Sequence, residues 1–125
     1  DPENAAAHNN LGQELAARGE LGTAIESFGR SIAIDPQGAG AYQNLGMALA
    51  ASGQSVDAIR AFEEALRLEP ANPGAHNNLG IVLASTGRLN EGIEHFRSAL
   101  QLRPDFVEAA ANLARAEEES RSSRR

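Results

Sequence analysis

Four asparagines, one in every 34 residues, are the side chains of this sequence whose type and spacing suggest chemistry most clearly. They are Asn10, Asn44, Asn78 and Asn112, and we call them the asparagine ladder. Asparagine is a poor residue in a helix interior, so its return at one register needs a reason. Its carboxamide carries both hydrogen-bond donors and an acceptor. It can therefore pair with the N–H and C=O groups of a peptide backbone, whatever side chains that peptide carries.

The spacing of the ladder suits an extended segment. Packed helices lie about 10 Å apart, and an extended chain advances about 3.3 Å per residue, so one asparagine would meet roughly every third residue. The alternative interpretation is that these amides bond only to the neighbouring repeat and hold the array together, and both roles can coexist. Helical periodicity puts further candidate binding residues on the same stripe: Asn9, Gln13, Gln43, Met47, Asn77 and Ile81.

The elements that must position these side chains come in repeats. The phrase Ala-His-Asn-Asn-Leu-Gly at 7–12 returns at 75–80, with variants at 41–46 and 109–114. A fixed period of this size indicates a stacked array of helical hairpins. We expect repeats at 5–38, 39–72 and 73–106, then a capping helix at 107–120 and a disordered tail at 121–125. Residues 1–4 are expected to end a preceding repeat, because Pro2 continues the spacing of Pro36, so that the natural protein would extend upstream.

Each repeat reads as two helices joined by a tight turn. In the first repeat, Leu11 and Leu15 form an apolar i, i+4 pair. Gly19 is expected to end that helix as a C-terminal cap. Asp35-Pro36 is expected to end the second helix, because proline disfavours helix at the residue before it.

The recurring residues resemble the tetratricopeptide repeat. The family's Leu-Gly pair is matched at 11–12, 45–46 and 79–80, its second-helix aromatic by Phe28, Phe62 and Phe96, and its proline by Pro36, Pro70 and Pro104. The resemblance covers about residues 1–116, and the asparagine phrasing is similar to arrays of the O-linked N-acetylglucosamine transferase type. It implies an all-α, right-handed superhelical solenoid in which residues 1–125 form a single domain of three such units and a capping helix. It also implies that the first helix of each pair lines a concave groove. His8 and His76 depart from the pattern by replacing its first aromatic.

Composition excludes several classes of function. A net charge of −6 argues against general affinity for nucleic acid or acidic lipid. The absence of cysteine rules out disulfides and thiolate metal sites. No apolar run approaches the roughly 18 residues of a membrane span, and no signal peptide is visible. The compartment is left as unknown, with the cytoplasm favoured.

Other chemistry is not indicated. The sequence offers no nucleophile–base pair and no phosphate-binding glycine loop, so we expect no enzyme activity and no cofactor. A clamp for a terminal carboxylate would lack cations, because its positions in the groove hold neutral residues and the chain has no lysine; these positions are Ala6, Asn9, Gln13, Gly40, Gly74 and Asn78. We expect no metal site: His8 and His76 should pack between helices, and His95 should be solvated.

The sequence therefore predicts a protein–protein interaction module, with a peptide or partner segment held in the groove by the asparagine ladder. The alternative is a scaffold that associates with itself, head-to-tail or by swapping of the terminal helix. Apolar surface near Ala7, His8 and Leu11 is expected at the start of the array, where a second copy could give a homo-oligomer.

Overall fold

The computed structural model describes residues 3–124, and within that range the chain contains helices and no strand. Three helical hairpins are followed by one longer helix. The helices are α1 (Ala5–Ala17), α2 (Leu21–Ile34), α3 (Ala39–Ala51), α4 (Ser55–Leu68), α5 (Pro73–Ser85), α6 (Leu89–Leu102) and α7 (Val107–Ser123). The fold class is therefore all-α and built from helix–turn–helix repeats, as the sequence predicted.

The turn inside each hairpin depends on a glycine. Gly19 adopts a φ of 80°, a left-handed conformation that side chains with a Cβ resist. With this turn the Glu20 N–H reaches back to the Leu15 carbonyl at 2.9 Å, and so satisfies a carbonyl that the helix end would leave open. Gly53 and Gly87 repeat the conformation. The predicted glycine caps are confirmed.

The second helix of each hairpin ends where proline requires it. Asp35 has a φ of −130° and extended backbone, because the ring of Pro36 excludes the helical conformation before it. The residues before Pro70 and Pro104 behave alike. At the start of the first and third hairpins, Asn4 and Asn72 cap α1 and α5 by accepting hydrogen bonds from the backbone N–H groups of Ala7 and Ala75.

The helices group into two compact units, divided between Pro70 and Ala71. In the first unit, α1 pairs with α2 and α3 with α4, while α3 also packs against α2 and α1. In the second unit, α5 pairs with α6, and α7 packs against both. Each unit has its own buried cluster, one around Phe28 and one around Phe96.

Phenylalanine and glycine fix how closely the two helices of a hairpin approach. A Cβ on Gly12 would stand 2.5 Å from Cε1 of Phe28, so the ring occupies the space that the glycine leaves. Gly46 and Gly80 face Phe62 and Phe96 in the same way. These three glycines therefore lie where the paired helices cross.

The end of the chain differs from the expectation. The predicted capping helix at 107–120 continues to Ser123, so the disordered tail predicted for 121–125 is wrong for its first three residues. The Arg121 guanidinium donates to the Glu118 carboxylate at 2.9 Å, and a cation in the last turn also favours the helix dipole. Arg125 lies outside the described residues, as do Asp1 and Pro2 of the predicted preceding repeat.

Candidate functional site

Two of the ladder asparagines make the same hydrogen bond in different units. The side-chain Nδ2 of Asn44 on α3 donates to Oδ1 of Asn9 on α1 at 3.0 Å. In the second unit, Nδ2 of Asn112 on α7 donates to Oδ1 of Asn77 on α5, also at 3.0 Å. Each bond joins the first helix of one repeat to the helix that follows one repeat later. This agrees with the interpretation in which the amides tie neighbouring repeats together.

The bond leaves part of each amide unused. A carboxamide offers two N–H groups and an oxygen with two lone pairs, and the pairing employs one N–H of Asn44 and one lone pair of Asn9. Asn44 is half-buried, so its own oxygen and second N–H remain oriented by the bond and within reach of solvent. The second asparagine pair differs slightly, because Arg115 Nη1 approaches Oδ1 of Asn112 at 3.4 Å.

Each pair stands beside a cavity. The cavity of the first unit has a volume of about 400 Å³ and includes Gln13, Asn44 and Met47 in its lining. The cavity of the second unit has a volume of about 390 Å³ and includes Ile81, Asn112 and Arg115. All eight residues that line the second cavity have a counterpart in the first, two repeats earlier in the sequence: Ile81, Ala84, Ser85, Phe96, Asn112, Arg115, Ala116 and Glu119.

Most of the lining surface of each cavity is apolar. The buried rings of Phe28 and Phe96 form part of each lining. At the rims, Met47 is 50% exposed and Ile81 44% exposed, although both are large apolar side chains. Exposed apolar side chains around a concave space are typical of a surface that another molecule covers.

The predicted site residues are only partly brought together. Five of them line the two cavities: Gln13, Asn44, Met47, Ile81 and Asn112. Two more, Asn9 and Asn77, accept the hydrogen bonds of Asn44 and Asn112. The remaining three line neither cavity: Asn10 is exposed on α1, while Gln43 on α3 and Asn78 on α5 are half-buried.

Sequence reasoning missed the residues at the base of the cavities. None of Ala48, Ala116, Phe28 and Phe96 was expected to take part in binding, yet all four line the cavities. The equal spacing of the phenylalanines and of the alanines was the available signal. It could not show that the small side chain beside each ring leaves a space open to solvent.

Two other kinds of site, a membrane span and a cluster of metal ligands, were searched for in the described residues. None of the helices in residues 3–124 is both long and apolar enough to cross a lipid bilayer. The described part of the chain has no group of three or more His, Cys, Asp or Glu side chains placed to hold a metal ion.

Comparison with known proteins places the repeats in a family. A tetratricopeptide repeat model matches residues 44–105, and a second model, described as a TPR repeat, matches residues 12–53. Among proteins with curated functions, none matches the sequence significantly.

Solved structures with the same fold cover nearly the whole chain. The crystal structure of MamA is 29% identical with a TM-score of 0.91, covering 96% of this chain and 70% of that one. The second TPR domain of human RPAP3, in complex with the HSP70 peptide SGPTIEEVD, is 26% identical with a TM-score of 0.87, covering 90% and 94%. The first TPR of Spaghetti (RPAP3), bound to the HSP90 peptide SRMEEVD, is 19% identical with a TM-score of 0.91, covering 95% and 94%.

Proposed function

Because this chain belongs to the tetratricopeptide repeat family, we propose that it is an interaction module that holds an extended peptide segment of a partner protein through its ladder asparagines. Within its own unit, each of Asn44 and Asn112 contacts the backbone of such a segment, and the cavity beside it receives one side chain. The segment carries apolar or neutral side chains at the first cavity, where no charged residue contributes to the lining.

The observation that carries this proposal is the repetition of one cavity at matching positions in both units. A single cavity is an ordinary packing feature, but both units have one of nearly equal volume beside an oriented amide and an exposed apolar side chain. Each unit therefore offers an extended peptide the same two contacts, an amide for its backbone and an apolar space for a side chain. The related domain of human RPAP3 was solved with a peptide, which agrees with this class of partner.

The affinity follows from the kind of contact. Neutral hydrogen bonds contribute about 0.5–1.5 kcal/mol each, and the first cavity has no charge to add to them. We therefore expect micromolar or weaker binding with little sequence preference.

The test is binding to a random-sequence peptide array, followed by fluorescence anisotropy with the best peptides. Met47→Ser removes an exposed apolar contact without touching the amide pair, and Asn44→Ala removes the ladder contact. We expect Asn44→Ala to weaken binding about 2- to 12-fold, which corresponds to one neutral hydrogen bond. Gln101→Ala, an exposed change at the end of α6, is the matched control. Unchanged affinity in both Met47→Ser and Asn44→Ala would reject the proposal.

Self-association is a second candidate, favoured by apolar exposure at the two end helices. Leu11 on α1 is 47% exposed, whereas its counterpart Leu79 on α5 is 1% exposed, and Val107 on α7 is 75% exposed. The cap helix of one molecule would cover Leu11 of another. Light scattering over a range of concentrations tests this, with Leu11→Ser as the variant expected to remove any association. A constant mass at all concentrations would reject it.

A further inference from the structure

Two histidines meet across the third hairpin. His76 on α5 and His95 on α6 are both half-buried, and their Nδ1 atoms lie 3.0 Å apart. The ring centroids are 5.2 Å apart and the ring planes are inclined by 29°. A centroid separation this much larger than the nitrogen separation means that the two Nδ1 atoms lie between the rings and face each other.

The pair is peculiar to this repeat. At the corresponding positions the first repeat has His8 and Ser27, and the second has Tyr42 and Ala61. The tetratricopeptide fold is therefore built here twice without a histidine pair, so that packing of the hairpin does not by itself require two imidazoles. This makes the pair a candidate for a role of its own.

The distance between the two Nδ1 atoms is close to that between two ligands of one metal ion. Tetrahedral zinc binds imidazole nitrogen at about 2.0–2.1 Å, which puts two such nitrogens about 3.3 Å apart. To match this, the Nδ1 atoms need to separate by about 0.3 Å, and each ring must turn by roughly 35° so that its lone pair points at the ion rather than at the other nitrogen. Imidazole is a preferred ligand of zinc, copper and nickel.

We propose that His76 and His95 form a binding site for a divalent transition-metal ion such as Zn²⁺, which both residues ligate through Nδ1. Without metal, the Nδ1–H of one ring donates to the lone pair of the other. On binding, that proton moves to Nε2 of its own ring, so that two neutral imidazoles each present an Nδ1 lone pair. No electron transfer is involved, and no proton is released.

The protein supplies two of the four ligands. The described residues contain no third His, Cys, Asp or Glu close enough to complete the set, so water or a donor from a bound molecule would fill the other positions. Glu91 lies one turn before His95 but is held by Arg88, whose guanidinium donates to its two carboxylate oxygens at 2.9 and 2.8 Å. This hydrogen bonding lowers the pKa of Glu91, so the carboxylate stays ionised, and Arg88 balances its charge.

The experiment is isothermal titration of the chain with Zn²⁺ in a non-chelating buffer at neutral pH. We expect one saturable site in the unaltered chain, and we expect its loss in His76→Ala and in His95→Ala. His8→Ala is the matched control and should retain the site, since His8 belongs to the other compact unit. The absence of a saturable site, or a site that survives in both pair variants, would overturn the proposal.

A folding defect is separated from ligand loss by His95→Gln, which keeps a hydrogen-bonding side chain but removes the imidazole. Circular dichroism should show the same helix content as in the unaltered chain, while Zn²⁺ should no longer raise the melting temperature. Imidazole ¹⁵N shifts supply a readout that structural packing would not move. Zinc should shift the Nδ1 resonances of His76 and His95, whereas a shift confined to His8 would overturn the assignment.

Discussion

The two cavities share the residues at their base but differ in the exposed residues around them. Both have a phenylalanine and an alanine at the base and an asparagine at the side, and their volumes differ by little. The first has Gln13 and Met47 where the second has Ile81 and Arg115, and Glu119 adds a second charge. The buried positions therefore set the shape of the cavity, and the exposed positions set which ligand it accepts.

The second unit is also packed more tightly than the first around its amide pair and around the glycine at its helix crossing. Asn77, which accepts the amide bond of Asn112, is 6% exposed, whereas Asn9 in the first unit is only half-buried. A Cβ on Gly80 would meet the backbone oxygen of Gly92 at 3.0 Å in addition to the Phe96 ring. At Gly12 the three nearest atoms all belong to the Phe28 side chain. Equivalent substitutions in the two units should therefore differ in size, and this difference can be measured.

The largest effect should come from the phenylalanines, and it should be equal in the two units. Phe28 is 1% exposed and Phe96 2% exposed, so Phe28→Ala and Phe96→Ala should each lower the free energy of unfolding by about 3–5 kcal/mol. Urea denaturation followed by circular dichroism measures it. If the free energy of unfolding fell by less than about 1 kcal/mol in one variant, the two phenylalanines would not have equivalent roles in the two cores.

The glycines at the helix crossings should show the first difference. Gly12→Ala should destabilise by about 1–3 kcal/mol through overpacking, with Phe28 able to shift in part. Gly80→Ala should lie at the upper end of that range or beyond it, since the Gly92 carbonyl cannot rotate away. Denaturation curves of the two variants give the comparison.

Gly29→Ala is the control for these two changes. Nothing lies within 4 Å of a Cβ at Gly29 in mid-helix, so alanine should stabilise by about 0.5–1 kcal/mol through helix propensity alone. Equal destabilisation by Gly12→Ala and Gly80→Ala would contradict the tighter packing of the second unit.

Much of the fold could be read from the sequence because its signals are local. Gly19, Gly53 and Gly87 are glycines because the turn needs a positive φ, and Pro36, Pro70 and Pro104 end helices by a steric rule. Such constraints depend only on neighbours along the chain. The repeat spacing also singled out Asn44 and Asn112, but their partners Asn9 and Asn77 were placed among the binding residues, and nothing local shows that these two accept hydrogen bonds from the ladder.

Contacts across helices explain what could not be predicted. The sequence puts Glu117 where earlier repeats have Leu15, Leu49 and Leu83, and no neighbour along the chain indicates a partner for its carboxylate. In the structure its carboxylate accepts from Arg97 Nη2 on α6 at 2.9 Å. Similarly, His95 was expected to be solvated, but it meets His76. Both pairings depend on the rotation of one helix against another.

A smaller difference is expected at the amide pairs. Asn44→Ala should lower the free energy of unfolding by about 0.5–1.5 kcal/mol, because water can replace the lost donor at the half-buried Asn9. Asn112→Ala should cost about 1–3 kcal/mol, because the oxygen of the buried Asn77 is left without a partner. Thermal or urea unfolding compares them, with Gln101→Ala as the surface control. A larger loss of unfolding free energy for Asn44→Ala than for Asn112→Ala would contradict the conclusion that the second unit is the more tightly packed.

The smallest effect should come from the ion pair between Arg97 and Glu117 in the second unit. The first unit has Gly29 and Leu49 at the corresponding positions and so cannot form it. Arg97 and Glu117 join α6 to α7, but their side chains are 60% and 35% exposed, so the pair should contribute about 0.2–1 kcal/mol. A double-mutant cycle with Arg97→Gln and Glu117→Gln isolates that coupling from the other effects of each change. The coupling should fall as salt is raised to about 1 M, where the screening length is only about 3 Å. A coupling that salt leaves unchanged would mean that Glu117 stabilises the cap helix by packing rather than by charge. The charged side chain would then fill the place of the leucine found in the earlier repeats.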